Sequence, residues 1–344
     1  MQIDITKVQQ LGELLAARES QNIVIVAHTN PDGDALGSTL AWARVLTQKG
    51  HNVSCIAPNK YPYFMEWMEG IKDYIIHRLD EQQAKEAIDK ADIIFCMDFN
   101  TTGRLEALGE LIDDNNTAKR VLIDHHLAPS PNFDIIFSYP EESSTCLITY
   151  SLIVAYVSAE AIDNTTANLL YTGIMTDTGN FSYANLSPDL FRAVATLVER
   201  GADIPRINQL VNNSYSLDRA KLFGYVVNRK MEVVEEGRVA YISLTEAEMR
   251  RFKFQPGDSE GFVNFPLSVA SMQVSVLFTA HRGFVRVSLR SRKHIDINYF
   301  AKKYFNGGGH KNAAGGKSFF PMEQTIEHFK KSIAEFISQG GFCE

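Results

Sequence analysis

Aspartate and histidine side chains follow apolar runs at four separate places in this sequence of 344 residues. An aspartate at the end of a buried strand is costly unless it is paired, hydrogen-bonded or bound to a metal. Because four independent segments repeat that cost, we expect them to share one site. The segments and their candidate ligands are HTNPDGD with His28, Asp32 and Asp34, MDF with Asp98, DHH with His125, and TDTGNF with Asp177.

A cluster of carboxylates and imidazoles suits two divalent ions, about 3.5–4 Å apart, that promote in-line displacement at phosphorus. Four carboxylates roughly balance the charge of two such ions. Imidazole ligands favour Mn²⁺ over Mg²⁺, while iron, cobalt and zinc stay compatible with the same ligands. Taken one at a time, each of these residues could equally be a cap, a turn residue or a surface group.

The elements that would position these residues are the strands of a mostly parallel sheet. Apolar runs alternate with helical patterns through the first half of the chain, which is typical of an α/β fold with helices on the faces of its sheet. Parallel strands place their carboxyl ends along one edge, where open α/β sheets bind ligands. The predicted strands are NIVIVA, NVSCIAP, ADIIFCMDF, KRVLIDHH and FDIIFSYP, and helices are predicted in SSTCLITYSLIVAYV and TTANLLYTGIMTDTG.

From about Glu232 the sequence contains segments in which apolar and polar residues alternate, which predicts a second, smaller α/β domain. Its predicted elements are strands RVAYISLT, QVSVLFTA and FVRVSLRS, a helix INYFAKKYF, a glycine-rich turn GGGHKNAAGG, a strand KSFF and a final helix EQTIEHFKKSIAEFI. We therefore divide the chain into a catalytic domain at 1–190, a helical connector at 191–230 and a substrate-binding domain at 231–344.

The formal charge of −7 argues against a protein that coats long nucleic acid, but it allows a small anionic substrate to be held locally. The charge balance reverses in one basic run, which indicates either a solvated face or a local anion site. The acidic residue of this run is Asp296, and its basic residues are Arg282, Arg286, Arg290, Arg292, Lys293, Lys302, Lys303 and Lys311. No apolar stretch approaches the roughly 20 residues of a membrane span, so we expect a cytoplasmic protein without a membrane partner.

The four segments HTNPDGDALGS, MDFN, DHH and TDTGNF, in this order, resemble the motifs of the DHH phosphoesterase family. The resemblance extends to SLRSRKHIDINYFAKKYFNGGGHKNAAGG, which is similar to the glycine-rich region of the family's DHHA1 substrate-binding domain. It implies an enzyme of the nanoRNase and 3′-phosphoadenosine-5′-phosphate (pAp) phosphatase type, which releases 5′-mononucleotides from very short oligonucleotides. Its partners would be short oligonucleotides and nucleotide bisphosphates rather than long duplexes. Whether the protein forms a homodimer is left open.

The resemblance also implies how the candidate ligands divide between two metal ions, with Asp98 as a bridge between them. The first ion would be held by His28 and Asp32, and the second by Asp34, His125 and Asp177. His126 would contact the scissile phosphate or protonate the leaving oxygen, while Asp124 orients a neighbouring histidine.

In the second domain the resemblance implies a phosphate-binding loop. Gly308, Gly309 and His310 would hold a terminal phosphate of the nucleotide with the help of Arg290. Arg104 matches a recurrent arginine of the family and would bind substrate or pair with a nearby aspartate. Asn306 stands where the family usually has a further glycine, and asparagine tolerates a left-handed backbone better than most residues.

Two other functions stay open on the sequence. One is a phosphodiesterase acting on pApA or cyclic di-AMP, since such enzymes also occur among DHH proteins. The other is a nucleotide-binding module that has lost catalysis, which the complete set of candidate ligands opposes. Rates on pApA, pAp and cyclic di-AMP would separate these functions.

Overall fold

The structure is a computed structural model that describes residues 3–182, 185–292 and 294–343. The chain folds into two compact units, with the boundary between Ser214 and Tyr215. This boundary lies inside the stretch 191–230 that the sequence predicts as a connector, and the helices of that stretch are divided between the units. The domain bounds 1–190, 191–230 and 231–344 stay a prediction.

The first unit is built on a six-stranded sheet in which all neighbouring strands are parallel, which confirms the predicted α/β class. Its strands are β1 (Asn22–Val26), β2 (Asn52–Ala57), β3 (Ile75–Ile76), β4 (Ile93–Met97), β5 (Lys119–Asp124) and β6 (Ile135–Ser138). Five of them are the predicted apolar runs, while β3 is too short to give a pattern. The strand order β3-β2-β1-β4-β5-β6 reverses between β1 and β4, where open α/β sheets leave a crevice for ligands.

Helices cover the sheet of the first unit. Those in the described residues are α1 (Ile5–Leu15), α2 (Gly33–Gln48), α3 (Glu81–Asp89), α4 (Ala107–Asp114), α5 (Thr145–Tyr156), α6 (Asn164–Asp177), α7 (Pro188–Glu199) and α8 (Ile204–Asn212). The predicted helices after β6 are α5 and α6, and both pack against α2. The approach is close: a Cβ on Gly173 of α6 would lie 2.2 Å from Cys146 Sγ of α5 and 2.8 Å from Asp34 Oδ1 of α2. Glycine at this position therefore lets three helices meet around a buried carboxylate.

The second unit is a mixed sheet with helices. Its elements are α9 (Leu217–Tyr225), β7 (Met231–Val234), β8 (Val239–Leu244), α10 (Glu246–Arg251), β9 (Val274–His281), β10 (Phe284–Ser291), α11 (Ile297–Phe305), β11 (Gly308–His310), β12 (Ala313–Ser318) and α12 (Met322–Ser338). The strand order is β11-β12-β10-β9-β8-β7, antiparallel except for the pair β8 and β9. One face of this sheet packs on α11 and α12, with Phe300 and Phe329 fully buried in the shared core.

The glycine-rich segment differs from its prediction as a turn followed by the strand KSFF. It forms two paired strands instead, because β12 already begins at Ala313 and ends at Ser318, and β11 pairs with it from Gly308 to His310. Glycine and alanine have little strand propensity, so the sequence pattern does not predict this hairpin. Asn306 ends α11 with a left-handed backbone (φ +47°), the conformation that asparagine tolerates.

Within the described parts of the chain, we find no helix whose length and apolar character would let it span a membrane.

Candidate metal centre

Strand ends position the candidate ligands of the first unit. Strands β1, β4 and β5 are neighbours, and their carboxyl ends lie on the same edge of the sheet. His28 follows β1, Asp98 follows β4 directly, and Asp124 is the last residue of β5, immediately before the two histidines. Asp98 has a left-handed backbone (φ +65°), an uncommon conformation for a residue other than glycine. The chain thus turns sharply at this carboxylate as it leaves the strand.

The first group of ligand atoms comes from His28, Asp32 and Asp98, and these atoms lie within 4.8 Å of one another. Nε2 of His28 is 3.4 Å from Oδ2 of Asp98. The other ring nitrogen of His28, Nδ1, lies 2.9 Å from the carbonyl oxygen of Thr29, which fixes the orientation of the ring. Asp32 caps α2, where its Oδ1 accepts hydrogen bonds from two main-chain N–H groups of the first turn.

The second group comes from Asp34, His125 and Asp177, again with ligand atoms within 4.8 Å of one another. Nε2 of His125 is 3.8 Å from Asp34 Oδ2 and 3.5 Å from Asp177 Oδ2. The same nitrogen is 3.5 Å from Oδ1 of Asp98, so His125 links the second group to the first. Its Nδ1 lies 3.2 Å from the carbonyl oxygen of Glu142, which directs Nε2 toward the carboxylates.

Burial and mutual charge determine the protonation of this cluster. Asp34 and Asp98 are only 1% and 2% exposed. Burial raises the pKa of Asp34 well above its usual range, and the charges of Asp98 and Asp177 add to this rise. Burial also opposes ionisation of Asp98, but hydrogen bonds from His125 and His28 outweigh it and hold the pKa of Asp98 well below its usual range.

The pKa values of the two candidate ligand histidines are both raised. Burial lowers the pKa of His125, but the carboxylates around it outweigh burial, led by Asp177, and raise it well above its usual range. Burial likewise lowers the pKa of His28, but the hydrogen bond to Asp98 and the charge of Asp32 raise it overall. The buried carboxylates of the cluster therefore favour positive charge on the groups beside them, although these groups are shielded from water. Carboxylate oxygens and imidazole nitrogens are ligands of divalent metals, so the residues fit such ions by donor type and by charge.

Helix α5 contributes contacts that the sequence analysis missed. The main-chain N–H groups of Thr145 and Cys146 donate to the two oxygens of Asp34 over 2.7 and 2.8 Å. The hydroxyl of Thr145 donates to Asp98 Oδ1 over 2.9 Å. Ser144 caps this helix, and the sequence contains a recognisable Ser/Thr cap at this place. The cap predicts where the helix starts, but it does not predict which carboxylate the N-terminus of the helix binds.

His126 lies beside the cluster with a different partner. Its Nδ1 is 2.7 Å from Oδ1 of Asp124, which is fully buried, and 3.9 Å from Oδ1 of Asp98. Because a carboxylate accepts hydrogen bonds, Nδ1 carries the proton and Nε2 holds the lone pair of the neutral ring. Burial lowers the pKa of His126 despite the hydrogen bond to Asp124, so the neutral ring predominates at pH 7.

Arg104 lies in the 3₁₀ turn Thr102–Leu105 that follows β4. Its carbonyl oxygen accepts hydrogen bonds from the N–H and hydroxyl of Thr29, which connects this turn to the loop after β1. The guanidinium charge of Arg104 opposes protonation of both His28 and His126, which places that charge close to the cluster. Its predicted contact with substrate stays a prediction.

The remaining predicted residues lie in the second unit, on adjacent strands. Arg290 of β10 is paired with Ala313 of β12, and Ala313 is paired with His310 of β11. Gly308 and Gly309 precede His310 on the same short strand. The structure thus brings the predicted phosphate-binding residues together at one end of this hairpin.

Known proteins resemble this chain over most of its length. The model of the DHH family, N-terminal domain, matches residues 22–174, and the model of the DHHA1 domain matches residues 236–339. A bifunctional oligoribonuclease and PAP phosphatase of Mycoplasma genitalium is 30% identical over 94% of this chain and 94% of its own length. The protein of the same name from Thermus thermophilus is 27% identical over 98% and 96% of the two chains.

A solved structure is also similar along the whole chain. The crystal structure of an exopolyphosphatase-related protein from Bacteroides fragilis superimposes with a TM-score of 0.89 at 35% identity, covering 97% of each chain. Family models, curated relatives and this structure agree over both units. The chain therefore belongs to the DHH family, and its DHH domain is followed by a DHHA1 domain.

Proposed function

We propose that this protein is a phosphoesterase with two divalent metal ions that acts on very short oligonucleotides and on pAp. It releases 5′-mononucleotides from the former and removes the 3′-phosphate from the latter. The observation that carries this proposal is the convergence of six ligands into two adjacent groups. The names of the two relatives support the substrates, because both are oligoribonucleases and PAP phosphatases that are similar over nearly the full chain.

Each metal ion has its own ligands, and one carboxylate is common to both ions. In this proposal His28 and Asp32 would hold the first ion, Asp34, His125 and Asp177 would hold the second, and Asp98 would be a ligand of both. Divalent ions held by these residues would supply a hydroxide at neutral pH and would stabilise the negative charge that develops on the phosphate. Mn²⁺ suits the mixture of oxygen and nitrogen ligands better than Mg²⁺ does.

His126 would serve the reaction through Nε2 of its ring. Asp124 holds Nδ1–H, so Nε2 is the atom that would take up a proton from water and pass it to the leaving oxygen. The carboxylate of Asp124 stabilises the imidazolium that this transfer requires. Arg104 adds a positive charge near the same histidine, where it attracts the phosphate of the substrate.

The second unit binds the nucleotide through a different phosphate. Arg290 supplies a charged donor, and Gly308, Gly309 and His310 supply main-chain N–H groups and an imidazole on the neighbouring strand. A Cβ on Gly308 would be in ordinary van der Waals contact with Asn298 Oδ1, at 3.8 Å, and with Lys302 Cε, at 3.9 Å. The missing side chain at Gly308 lets a phosphate approach the backbone at this point in our proposal.

Product release from pAp, from 5′-phosphorylated RNA of two to five nucleotides and from cyclic di-AMP tests the proposal. We expect mononucleotides from pAp and from the short RNAs in Mn²⁺, and none after addition of EDTA. Asp98→Asn should abolish this release, whereas Asp114→Asn, an equal change of charge at an exposed position on α4, should not. Turnover of the cyclic substrate alone, or of no substrate, would contradict the proposal.

A further inference from the structure

Strand β10 carries part of the basic run noted in the sequence, and its residues alternate between two faces of the sheet. Val285, Val287 and Leu289 belong to the core that packs on α11 and α12. The residues that alternate with them along the strand therefore line the opposite face. In chain order they are Phe284, Arg286, Ser288 and Arg290.

The opposite face is covered only in part by the second unit itself. Ile242, Leu244 and Leu277, on β8 and β9, belong to a buried cluster with Leu222 and Phe262. On β10 and β12, in contrast, Arg286 and Lys317 are both exposed. This exposed part of the face is an anion-attracting surface.

Strand pairing places the charges on this surface at two separate ends. Arg286 is opposite Lys317, Ser288 is opposite Gly315, and Arg290 is opposite Ala313. Arg290 lies four positions after Arg286 on the strand, which corresponds to about 13 Å. Only small side chains lie between the two ends. That separation exceeds the span between the two phosphates of one nucleoside bisphosphate, whereas an oligonucleotide can bridge it.

Aromatic rings accompany the cations at the far end. The rings of His281 and Phe284 stack, with centroids 5.0 Å apart and planes 10° from parallel. Lys317 Nζ lies 5.2 Å from the centroid of the Phe284 ring. Phe319, directly after β12, is 71% exposed. Cations interleaved with exposed aromatic rings are the usual means of binding single-stranded nucleic acid, where bases stack and phosphates pair.

We propose that Phe284, Arg286, Lys317 and Phe319 form a distal subsite for a short single-stranded oligonucleotide, beyond the phosphate held at Arg290. This inference rests on the proposed function and extends it. The distal subsite binds the additional nucleotides of an oligonucleotide and is not reached by pAp, so it sets the preference between these two substrates. Lys293 of the same basic run lies outside the described residues.

The test is the affinity for a fluorescein-labelled pentaribonucleotide, measured by anisotropy in EDTA, with pAp as the competitor. Arg286→Gln and Lys317→Gln should each weaken pentamer binding about tenfold relative to pAp, because each removes one charged contact. Each should also reduce the slope of log K against log salt by about 0.7, the value for one phosphate contact on a single strand. Phe319→Leu keeps an apolar side chain but removes the ring, and should weaken the pentamer about fivefold.

Lys331→Gln is the matched control, because it makes the same change of charge on α12, which packs on the other face of the sheet. Unchanged pentamer affinity in the three variants, an equal loss for pAp, or an equal loss in Lys331→Gln would overturn the distal subsite. Failure of the proposed function is recognised separately, by the lack of hydrolysis of the same RNA by the unaltered protein in Mn²⁺.

Discussion

The hydroxyl of Thr145 donates a 2.9 Å hydrogen bond to Oδ1 of Asp98, although the two residues come from different elements of the fold. The same helix end holds Asp34 through two main-chain N–H groups. Helix α5 thereby orients one carboxylate from each of the two ligand groups. We infer that its first turn sets the geometry of the proposed metal centre.

Replacement of Thr145 tests this positioning role. Thr145→Val removes the hydroxyl at nearly constant volume, whereas Thr145→Ser retains it. Loss of an outer-shell partner typically costs 10–100-fold in metal affinity, so we expect a loss of that size for Thr145→Val and near-normal affinity for Thr145→Ser. Calorimetric titration with Mn²⁺ provides the measurement. Equal affinities for the two variants would show that the hydroxyl does not position Asp98.

His126 and Asp124 should affect turnover rather than metal content. General acid–base groups contribute about 10²–10⁴-fold, so His126→Gln should lower kcat by a factor in this range while bound manganese stays unchanged. Asp124→Asn should lower kcat as well, because Oδ1 then no longer stabilises the imidazolium. Loss of manganese in His126→Gln would instead make this histidine a metal ligand.

Asp163 connects α6, which carries Asp177 at its far end, to α2, which carries Asp34. Its carboxylate caps α6 by accepting from the N–H of Thr166, and it also pairs with Arg44 of α2. Burial opposes its ionisation, but the hydrogen bonds from Arg44 and Thr166 prevail and lower the pKa of Asp163 to about 2.

The stability contributed by this charge should depend on pH. A lowered pKa in the folded state stabilises the protein above the unfolded pKa, about 3.9, and the effect is lost as pH falls toward the folded value. Asn caps helices as well as Asp does, so Asp163→Asn removes only the charge and should cost about 0.5–1 kcal/mol at pH 7. Asp163→Ala also removes the cap and should cost about 1–2 kcal/mol.

Urea unfolding at pH 7, 5 and 3 measures this dependence. The cost of Asp163→Asn should be similar at pH 7 and 5 and smaller at pH 3. A cost that stays constant or grows toward pH 3 would contradict the role assigned to the ionised carboxylate.

Replacement by alanine should affect the two adjacent glycines of β11, Gly308 and Gly309, in different ways. Gly309 has a φ of +147°, and a Cβ there would lie 2.5 Å from the carbonyl oxygen of Ala313. Gly309→Ala should therefore disturb the pairing of β11 with β12 and cost about 1–3 kcal/mol. Gly308→Ala has room for its methyl group and should stay folded, but it should weaken pAp binding by blocking approach to the backbone. The unfolding temperature and the pAp affinity of both variants are the quantities to measure. Equal unfolding temperatures for the two variants would contradict the expected difference in stability.

Much of the fold follows from the sequence because the parallel strands are short apolar runs with a clear pattern. Once β1, β4 and β5 are recognised, His28, Asp98 and His125 must lie near one another, since parallel strands end at a common edge. This pattern predicts the α/β class and the four motifs predict the family, and both predictions are confirmed.

Two features could not be predicted, for physical reasons. The contacts of Thr145 depend on how α5 packs against α2, which is a tertiary relationship that no local pattern contains. The strand pair β11 and β12 consists largely of glycine and alanine, whose propensities disfavour strands, so the tertiary pairing with β10 overrides the local preference. In both cases the missing information concerns packing between elements rather than the elements themselves.

In our proposal two metal ions share the six candidate ligands of the first unit. The molar ratio of manganese to protein chain, determined by mass spectrometry of the metal after equilibrium dialysis against Mn²⁺, tests this directly. We expect two ions per chain. A ratio of one ion per chain, or of none, would contradict the proposal.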